Sequence, residues 1–411
     1  MRHVISPFAS LPLDDPEFWA QKWRAGIATL DPAEVNPRLA ARSGAVWEPL
    51  ERGPMPAPEI RCWIESAQVP DEWWRVLDGE EATAEERDEL LANRNLENVA
   101  DFGADRYGLT IRRSGLRALP TDRRGQKMND EDGFDRLQHT ALEPLTPLAL
   151  LHRSRDGGWW FVLAPDYRGW VRAGDVAVAG DPDAVRRFLP EKNNGRVLVE
   201  PLARLQTPAG ETPLETGDLL PDKGEFVYPA RGNNGELKTG LAHLPGWPRT
   251  LAAFPELLPE KIFSVALTPL GQPYGWGDLT PAGPGRDCSR FVQDTFKTFG
   301  FRLPRDASKQ CAATQPVIEF GEDENHAARA ARLAGLKEGP ALLCMPGHVM
   351  LYLGEVSGCH HAVHSFWAYK KRNGDEEETV PVRRVVVSSL DLGLNTSSGS
   401  LLERLTSVNL L

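Results

Sequence analysis

Residues 273–310, PYGWGDLTPAGPGRDCSRFVQDTFKTFGFRLPRDASKQ, decide the fold of the last third of the chain. From Tyr274 to Arg286 the segment is rich in Gly and Pro and reads as a loop. After Asp287-Cys288-Ser289 the pattern turns helical: Phe291, Val292, Thr295, Phe296 and Phe299 share one face, and Gly300 ends the run. Cys288 thus falls in the first turn of a helix, where unpaired N–H groups and the positive end of the helix dipole favour a thiolate. Such a position makes a cysteine nucleophilic. The competing reading is a buried packing thiol, the common fate of an unpaired cysteine.

A thiolate needs a base, and residues 339–369, GPALLCMPGHVMLYLGEVSGCHHAVHSFWAY, supply candidates. HVMLYLG alternates as a strand does, with His348 at its start after Pro346-Gly347. A strand that begins with His beside a glycine turn can present its imidazole to a helix N-terminus. The next strand, from about His360 to Trp367, offers His364 as the group that orients that imidazole through its other nitrogen. His360 is the rival for the same place. A zinc reading of His360-His361-x-x-His364 lacks a ligand on a separate element and any Cys-x-x-Cys partner.

The remainder of the chain changes texture twice. Residues 1–103 read as a helical N-terminal domain. Phe18, Trp19, Trp23 and Ile27 recur at helical spacing over 14–30, and Thr83 with Glu86 forms a capping box ahead of a second helix. From 104 to 180 short strands alternate with turns, as in 146–154, 157–165 and 169–179, and 181–250 repeats that density; both predict small β-barrels. A Pro-rich crossing near 245 leads into an α+β segment over 251–411 that carries the chemistry.

These motifs resemble known families. FDRLQHTAL (134–142), LHRSRDGGWWFV (151–162) and YRGWV (167–171) resemble a bacterial SH3 domain, and the second barrel is taken as SH3-like from strand spacing and order. Four separated motifs closely resemble the NlpC-type papain-like cell-wall peptidases. They are Tyr274-Gly-Trp276-Gly277-Asp278, Asp287-Cys288-Ser289-Arg-Phe291-Val292, Leu303-Pro304-Arg305-Asp306 and Gly347-His348-Val349. The resemblance implies a multidomain chain: a helical N-terminal domain, two SH3-like barrels and a C-terminal α+β papain-like catalytic domain. It implies cleavage of the γ-D-glutamyl to L-diamino acid bond of peptidoglycan stem peptides, in some members only those with a free N-terminal L-Ala.

By position, Cys288 matches the nucleophile, His348 the general base and His364 the third polar residue. The step from His348 to His364 is longer than the family pattern, which a four-residue insertion in the turn GEVSGCH would explain; His360 sits at the shorter spacing. Tyr274 matches a residue near the oxyanion, Trp276 a pocket wall, and Ser289 and Arg305 further substrate-side positions. Asp306 matches the acidic partner of the substrate's α-ammonium group, with helix capping as its other reading. Two departures bear on pocket shape: Arg290 stands where glycine is common, and Ala307 where those members carry serine, with Ser308 one step on.

Composition limits the alternatives. With 411 residues, at roughly 100–200 per domain, two to four domains are expected. The chain is 41% hydrophobic and 26% charged, with 37 Gly, 34 Pro and 12 Trp, which fits turn-rich globular structure rather than disorder or collagen. A net charge of −11 without a basic run argues against nucleic acid as a partner. No apolar run reaches the ~18 residues of a membrane helix. No cofactor and no metal are implied, and a monomer is expected. The start of the chain is too interrupted by Pro7 and Pro12 for a secretory segment. The expected compartment is the cell envelope if a leader has been removed and the cytoplasm if the chain is complete as written. Five cysteines form no disulfide framework. Cys62, Cys311, Cys344 and Cys359 are read as packing residues. A non-catalytic wall-binding protein, and an amidase or acyltransferase on the same fold, are the rival functions.

Overall fold

The computed structural model describes residues 3–23, 30–67, 69–129, 133–189, 195–221, 224–246, 248–252, 254–280 and 283–411. Ile27, expected on the first helical stripe, lies outside them.

Near the N-terminus, β1 (Val4–Ile5) precedes α1 (Pro16–Trp23), α2 (Pro32–Ser43), α3 (Ala57–Ser66) and α4 (Ala84–Ala92). Local chemistry starts these helices. Asp31 caps α2 by accepting from the Ala33 N–H at 2.8 Å. At α4, Thr83 and Glu86 form the reciprocal capping box that their spacing announces. The apolar faces are divided among cores built with other parts of the chain. Trp19, Trp23, Val35 and Leu39 join the large core of the C-terminal unit, while Ile60 and Ile64 of α3 pack with Trp159, Phe161 and Trp170. The two buried tryptophans keep their N–H groups satisfied: Trp19 donates to the Leu13 carbonyl and Trp23 to that of Leu353, both at 2.8 Å. Burying each ring is worth about 3 kcal/mol, so α1 is anchored by the C-terminal unit.

The first all-β unit comprises β2 (Tyr107–Thr110), β3 (Ser114–Arg117), β4 (Gln138–Leu142), β5 (Pro147–Arg153), β6 (Trp159–Leu163), β7 (Arg168–Arg172) and β8 (Val176–Ala179), in the order β8-β2-β5-β6-β7-β3-β4. All its pairings are antiparallel. The single turn of α5 (Pro182–Arg186) follows. A second all-β unit has two sheets. One is β12-β9-β15, made from Leu219–Pro221, Gly195–Leu198 and Thr250–Ala252; the other is β11-β10-β14-β13, made from Gly210–Glu215, Leu202–Thr207, Leu237–His243 and Glu225–Arg231. Leu198, Leu205, Leu214, Phe226 and Tyr228 fill the space between them.

The C-terminal unit begins with α6 (Pro259–Leu267) and α7 (Cys288–Lys297), followed by α8 (Ala307–Ala313), β16 (Gln315–Glu319), α9 (His326–Ala334), β17 (Leu342–Met345), β18 (His348–Val356), β19 (Cys359–Asn373), β20 (Glu376–Ser389) and β21 (Ser407–Leu410). The sheet runs β1-β20-β19-β18-β17-β21-β16, antiparallel throughout except for β1 beside β20. Phe291, Val292 and Phe296 of α7 lie in its core with Leu351 and Val363. Between β18 and β19 the turn is only Ser357-Gly358, both with positive φ (51° and 82°), the geometry of a two-residue hairpin. The extra residues between His348 and His364 therefore lengthen the strands, with a bulge at Tyr352–Gly354, and the turn carries no insertion.

One cysteine reading is corrected. Cys311 of α8 and Cys344 of β17 form a disulfide across a Cα–Cα distance of 6.0 Å. Cys62, Cys288 and Cys359 are free, and Cys62 is exposed rather than packed. A separation of 33 residues matches no sequence motif; α8 packing beside β17 creates the pairing.

Candidate active site

The loop ahead of α7 is shaped by its glycines. Gly277 holds φ 58°, and a Cβ there would meet Gln138 Cγ of β4 at 2.6 Å, so only glycine lets the barrel strand approach. Asp278 follows with φ 68°, a left-handed backbone that costs about 1 kcal/mol or more at a non-glycine residue. Its fully buried carboxylate compensates by accepting from Thr140 Oγ1 at 2.7 Å, the Ala141 N–H at 3.3 Å and Arg305 Nη2 at 2.8 Å.

Asp287 caps α7 by accepting from the Arg290 N–H at 2.9 Å, which leaves Cys288 as the first helical residue. The sequence places α7 as an amphipathic helix, yet all residues from Cys288 to Phe296 are buried. Its polar side faces the β units. Arg290 donates to Glu143 and pairs with Asp294 at 2.7 Å. Glu143 also holds Arg113, which pairs in turn with Glu215. The arginine that departs from the family pattern thus points away from the cleft and ties α7 to the first β unit.

Arg305 lies behind Cys288. It donates to Asp287 Oδ1 (3.1 Å) and Oδ2 (2.6 Å), Ser289 Oγ (2.8 Å), Asp278 Oδ1 (2.8 Å) and Thr140 Oγ1 (2.7 Å). Ser289 Oγ donates to Asp287 Oδ1 at 3.1 Å, so its hydroxyl belongs to the same cluster. Contrary to the sequence expectation of a ready thiolate, the Cys288 thiol is pushed up to about 12 by burial and the neighbouring Asp287 carboxylate. The Val349 N–H, Arg305 and the Ser289 N–H pull in the opposite direction.

On β18, Gly347 with φ 73° completes the turn that starts the strand at His348. His348 Nε2 lies 2.7 Å from His364 Nδ1, and His364 Nε2 lies 2.9 Å from Ser388 Oγ of β20. Burial pushes His348 down to about 3, helped by Arg404, and holds His364 well below the usual range. His360 is elsewhere, with Nδ1 against the Tyr352 hydroxyl (2.7 Å) and Nε2 against the Ala330 carbonyl of α9 (3.0 Å). The structure therefore brings His364, and not His360, to His348.

A cleft of about 690 Å³ opens at Cys288 and is lined also by Tyr274, Trp276, Ser289, Arg305, Asp306 and Ser308. The first β unit adds His139 and Tyr167 to its walls, and the N-terminal segment adds Trp47 and Trp73. Trp276 stacks on Phe134 at 5.1 Å between centroids, and Tyr274 on the same ring at 5.6 Å. Asp306 occupies the N-cap position of α8 without capping it; its carboxylate pairs with Lys309 at 3.1 Å on the cleft wall. Thr140, Glu143, Phe134 and Ser388 were not among the sequence candidates. Their signal is tertiary: Thr140 and Ser388 lie on strands, and Phe134 and Glu143 flank β4 on either side, where local pattern marks only a barrel or a sheet.

Comparison with known proteins adds the domain assignments. Family models match residues 125–172 as an SH3 domain of the SH3b1 type and residues 271–376 as the NlpC/P60 family. The chain is 38% identical over 95 residues to the bifunctional muramidase/DL-endopeptidase CwlT of Bacillus subtilis (strain 168), covering 23% of this chain and 26% of that protein. It is 41% identical over 58 residues to a gamma-D-glutamyl-L-lysine dipeptidyl-peptidase of the same organism, covering 14% of this chain and 19% of the relative. The matched stretches thus span about a quarter or less of these relatives. A solved structure of an NlpC/P60 endopeptidase from Photobacterium damselae subsp. piscicida shares the fold over 96% of this chain and 93% of its own, with a TM-score of 0.73 at 18% identity. This is a multidomain chain with an SH3b domain and a C-terminal NlpC/P60 family domain.

Proposed function

We propose that the protein is a thiol peptidase that cleaves the γ-D-glutamyl to L-diamino acid bond of peptidoglycan stem peptides bearing a free N-terminal L-Ala. The observation that carries this reading is the contact of His348 Nε2 with His364 Nδ1, beside the Val349 N–H that reaches Cys288. If His348 donates from Nε2 to His364, its Nδ1 keeps a lone pair for the thiol. His364 then donates from Nε2 to Ser388, and both imidazoles share one consistent tautomer. Burial keeps His364 neutral, so it can accept from His348 in either protonation state.

In this mechanism the Cys288 proton passes to His348 Nδ1 as sulfur attacks the γ-carbonyl carbon of D-Glu. The Cys288 N–H and the Tyr274 hydroxyl stabilise the oxyanion. As the C–N bond breaks, the leaving amine takes the proton from His348 and a thioester remains. Water, deprotonated by His348, then releases the glutamyl carboxylate and restores the thiol. Burial disfavours both the thiolate and the imidazolium, so the resting pair is the neutral one.

Asp306 on the cleft wall is the partner for the substrate's ammonium group. The shared walls narrow the cleft, which favours freed peptides over intact glycan-linked stems. A wall-binding role for the first β unit is disfavoured because β4 faces the loop and helix around the nucleophile. Mass spectrometry of products from defined tri- and tetrapeptides, with and without an N-terminal block, tests the reading. Cleavage at the γ-bond of unblocked peptides only is expected, lost in folded Cys288→Ala; full turnover by that variant overturns it.

A further inference from the structure

We propose that Thr140, contributed by β4 of the SH3b unit, is a positioning residue for the nucleophile: its hydroxyl holds Arg305 onto Asp287, the residue that caps α7 immediately before Cys288. The inference rests on Cys288 being the reacting thiol.

Thr140 is 1% exposed and stands where three charged groups converge. Its Oγ1 accepts from Arg305 Nε at 2.7 Å and donates to Asp278 Oδ2 at 2.7 Å. With Nε fixed, both Arg305 Nη groups face Asp287, at 2.6 and 3.1 Å, and reach Ser289 and Asp278 as well. The planar guanidinium has one orientation that satisfies all these acceptors, and Thr140 selects it from outside the C-terminal unit.

The consequence for Cys288 is electrostatic. Asp287 is the charge that most disfavours its thiolate, and Arg305 is the cation that offsets it. The other titratable groups around this point are Asp278 and Tyr274 on the preceding loop, Arg290 on α7 itself, and His348 on the strand whose Val349 N–H reaches the thiol. None of these replaces Arg305 against Asp287, because the Arg290 side chain is engaged by Glu143 and Asp294. Without the Thr140 hydroxyl, Arg305 Nε loses its buried acceptor, the guanidinium is held by its Nη contacts alone, and it neutralises Asp287 less well beside the thiol.

Site-resolved alkylation of the native full-length chain by iodoacetamide over a pH series, read by mass spectrometry, tests this. Cys62 and Cys359 serve as internal references. For Thr140→Val the Cys288 profile should move to higher pH, with its rate near neutrality down about tenfold, the worth of one hydrogen bond to a charged group. The profiles of Cys62 and Cys359 should not move. kcat on a stem peptide should fall by a similar factor with KM unchanged, and Thr140→Ser should restore both readouts. If Thr140→Val is not recovered folded, Thr140→Ala is read in the same way. An unmoved Cys288 profile in a folded variant overturns the proposal, because a purely structural threonine changes stability and not thiol reactivity. Alkylation needs no substrate, so a moved profile in a chain that cleaves no stem peptide supports this role of Thr140 and counts against the peptidase reading alone.

Discussion

His348 Nε2 and His364 Nδ1 lie 2.7 Å apart, while His360, four residues before His364 on the same strand, has both ring nitrogens bonded to Tyr352 and Ala330. The two histidines should therefore respond in opposite ways to truncation. His364→Ala removes the group that fixes the base and should lower kcat by at least ~100-fold, within the range for general acid–base groups. His364→Asn, which can still accept a hydrogen bond, should retain more. His360→Ala should lower the melting temperature and leave kcat within a few-fold of the parent. Steady-state kinetics and thermal melts on the three variants decide it; the reverse ranking of His360 and His364 would exclude the assignment.

Glu143 ties α7 to the first β unit through Arg290 and also holds Arg113, with all three side chains nearly inaccessible. Removing one member of such a cluster leaves buried charge without compensation, typically at a cost of about 3–5 kcal/mol. Glu143→Gln should thus show a large drop in stability in urea titration. Activity of the folded fraction should also fall, because Arg290 lies two residues after Cys288. A stability change below ~1 kcal/mol would mean that this contact does not hold the units together.

The Cys311–Cys344 disulfide predicts a thiol count. The unfolded, unreduced chain should titrate three thiols and the reduced chain five. Closing a loop of 33 residues is worth about 3–4 kcal/mol in the chain-entropy account. Reduction should therefore lower the melting temperature without touching Cys288. Five thiols in both titrations would show that the bond does not form in solution.

Acid should destabilise the fold earlier than its carboxylates alone require. Burial holds His139 and His361 at about 4 and His348 at about 3, against 6.5 in the unfolded chain. A neutral histidine with a depressed folded value contributes stability that is complete above 6.5 and lost as pH falls toward the folded value. Each such group removes up to ~1.4 kcal/mol per pH unit across that window. Melting temperatures should decline from about pH 6.5 downward. A flat profile through the ordinary histidine range would show that these rings are not held neutral.

Local pattern made part of this legible. Thr83 and Glu86 announced their helix, Asp287-Cys288 the start of α7, and the alternation after His348 a strand, because caps and periodicity act within a few residues. Other features arise only when distant segments meet. Arg290 looked like a disturbance of the pocket until Glu143, far earlier in the chain, supplied its acceptor. Phe134, just ahead of β4, carried only the mark of a barrel segment, yet its ring packs on Trp276. The thiol's high pKa has the same origin, since sequence shows the helix dipole but not the burial or the uncancelled part of the Asp287 charge.

Asp306 offers the sharpest test of substrate choice. Its carboxylate stands on the cleft wall, paired only at the surface with Lys309 at 3.1 Å, and its side chain makes no cap to α8. A substrate ammonium group can displace the half-exposed Lys309 at little cost, because such surface pairs are worth less than about 1 kcal/mol. Asp306→Asn should therefore fold normally and raise KM for unblocked stem peptides about tenfold, the worth of one charge-assisted hydrogen bond. Peptides with an acetylated N-terminus should be hydrolysed equally poorly by both proteins, because they bring no cation to lose. If the variant lowers kcat on both peptides by the same factor and leaves KM unchanged, Asp306 does not hold the substrate amine.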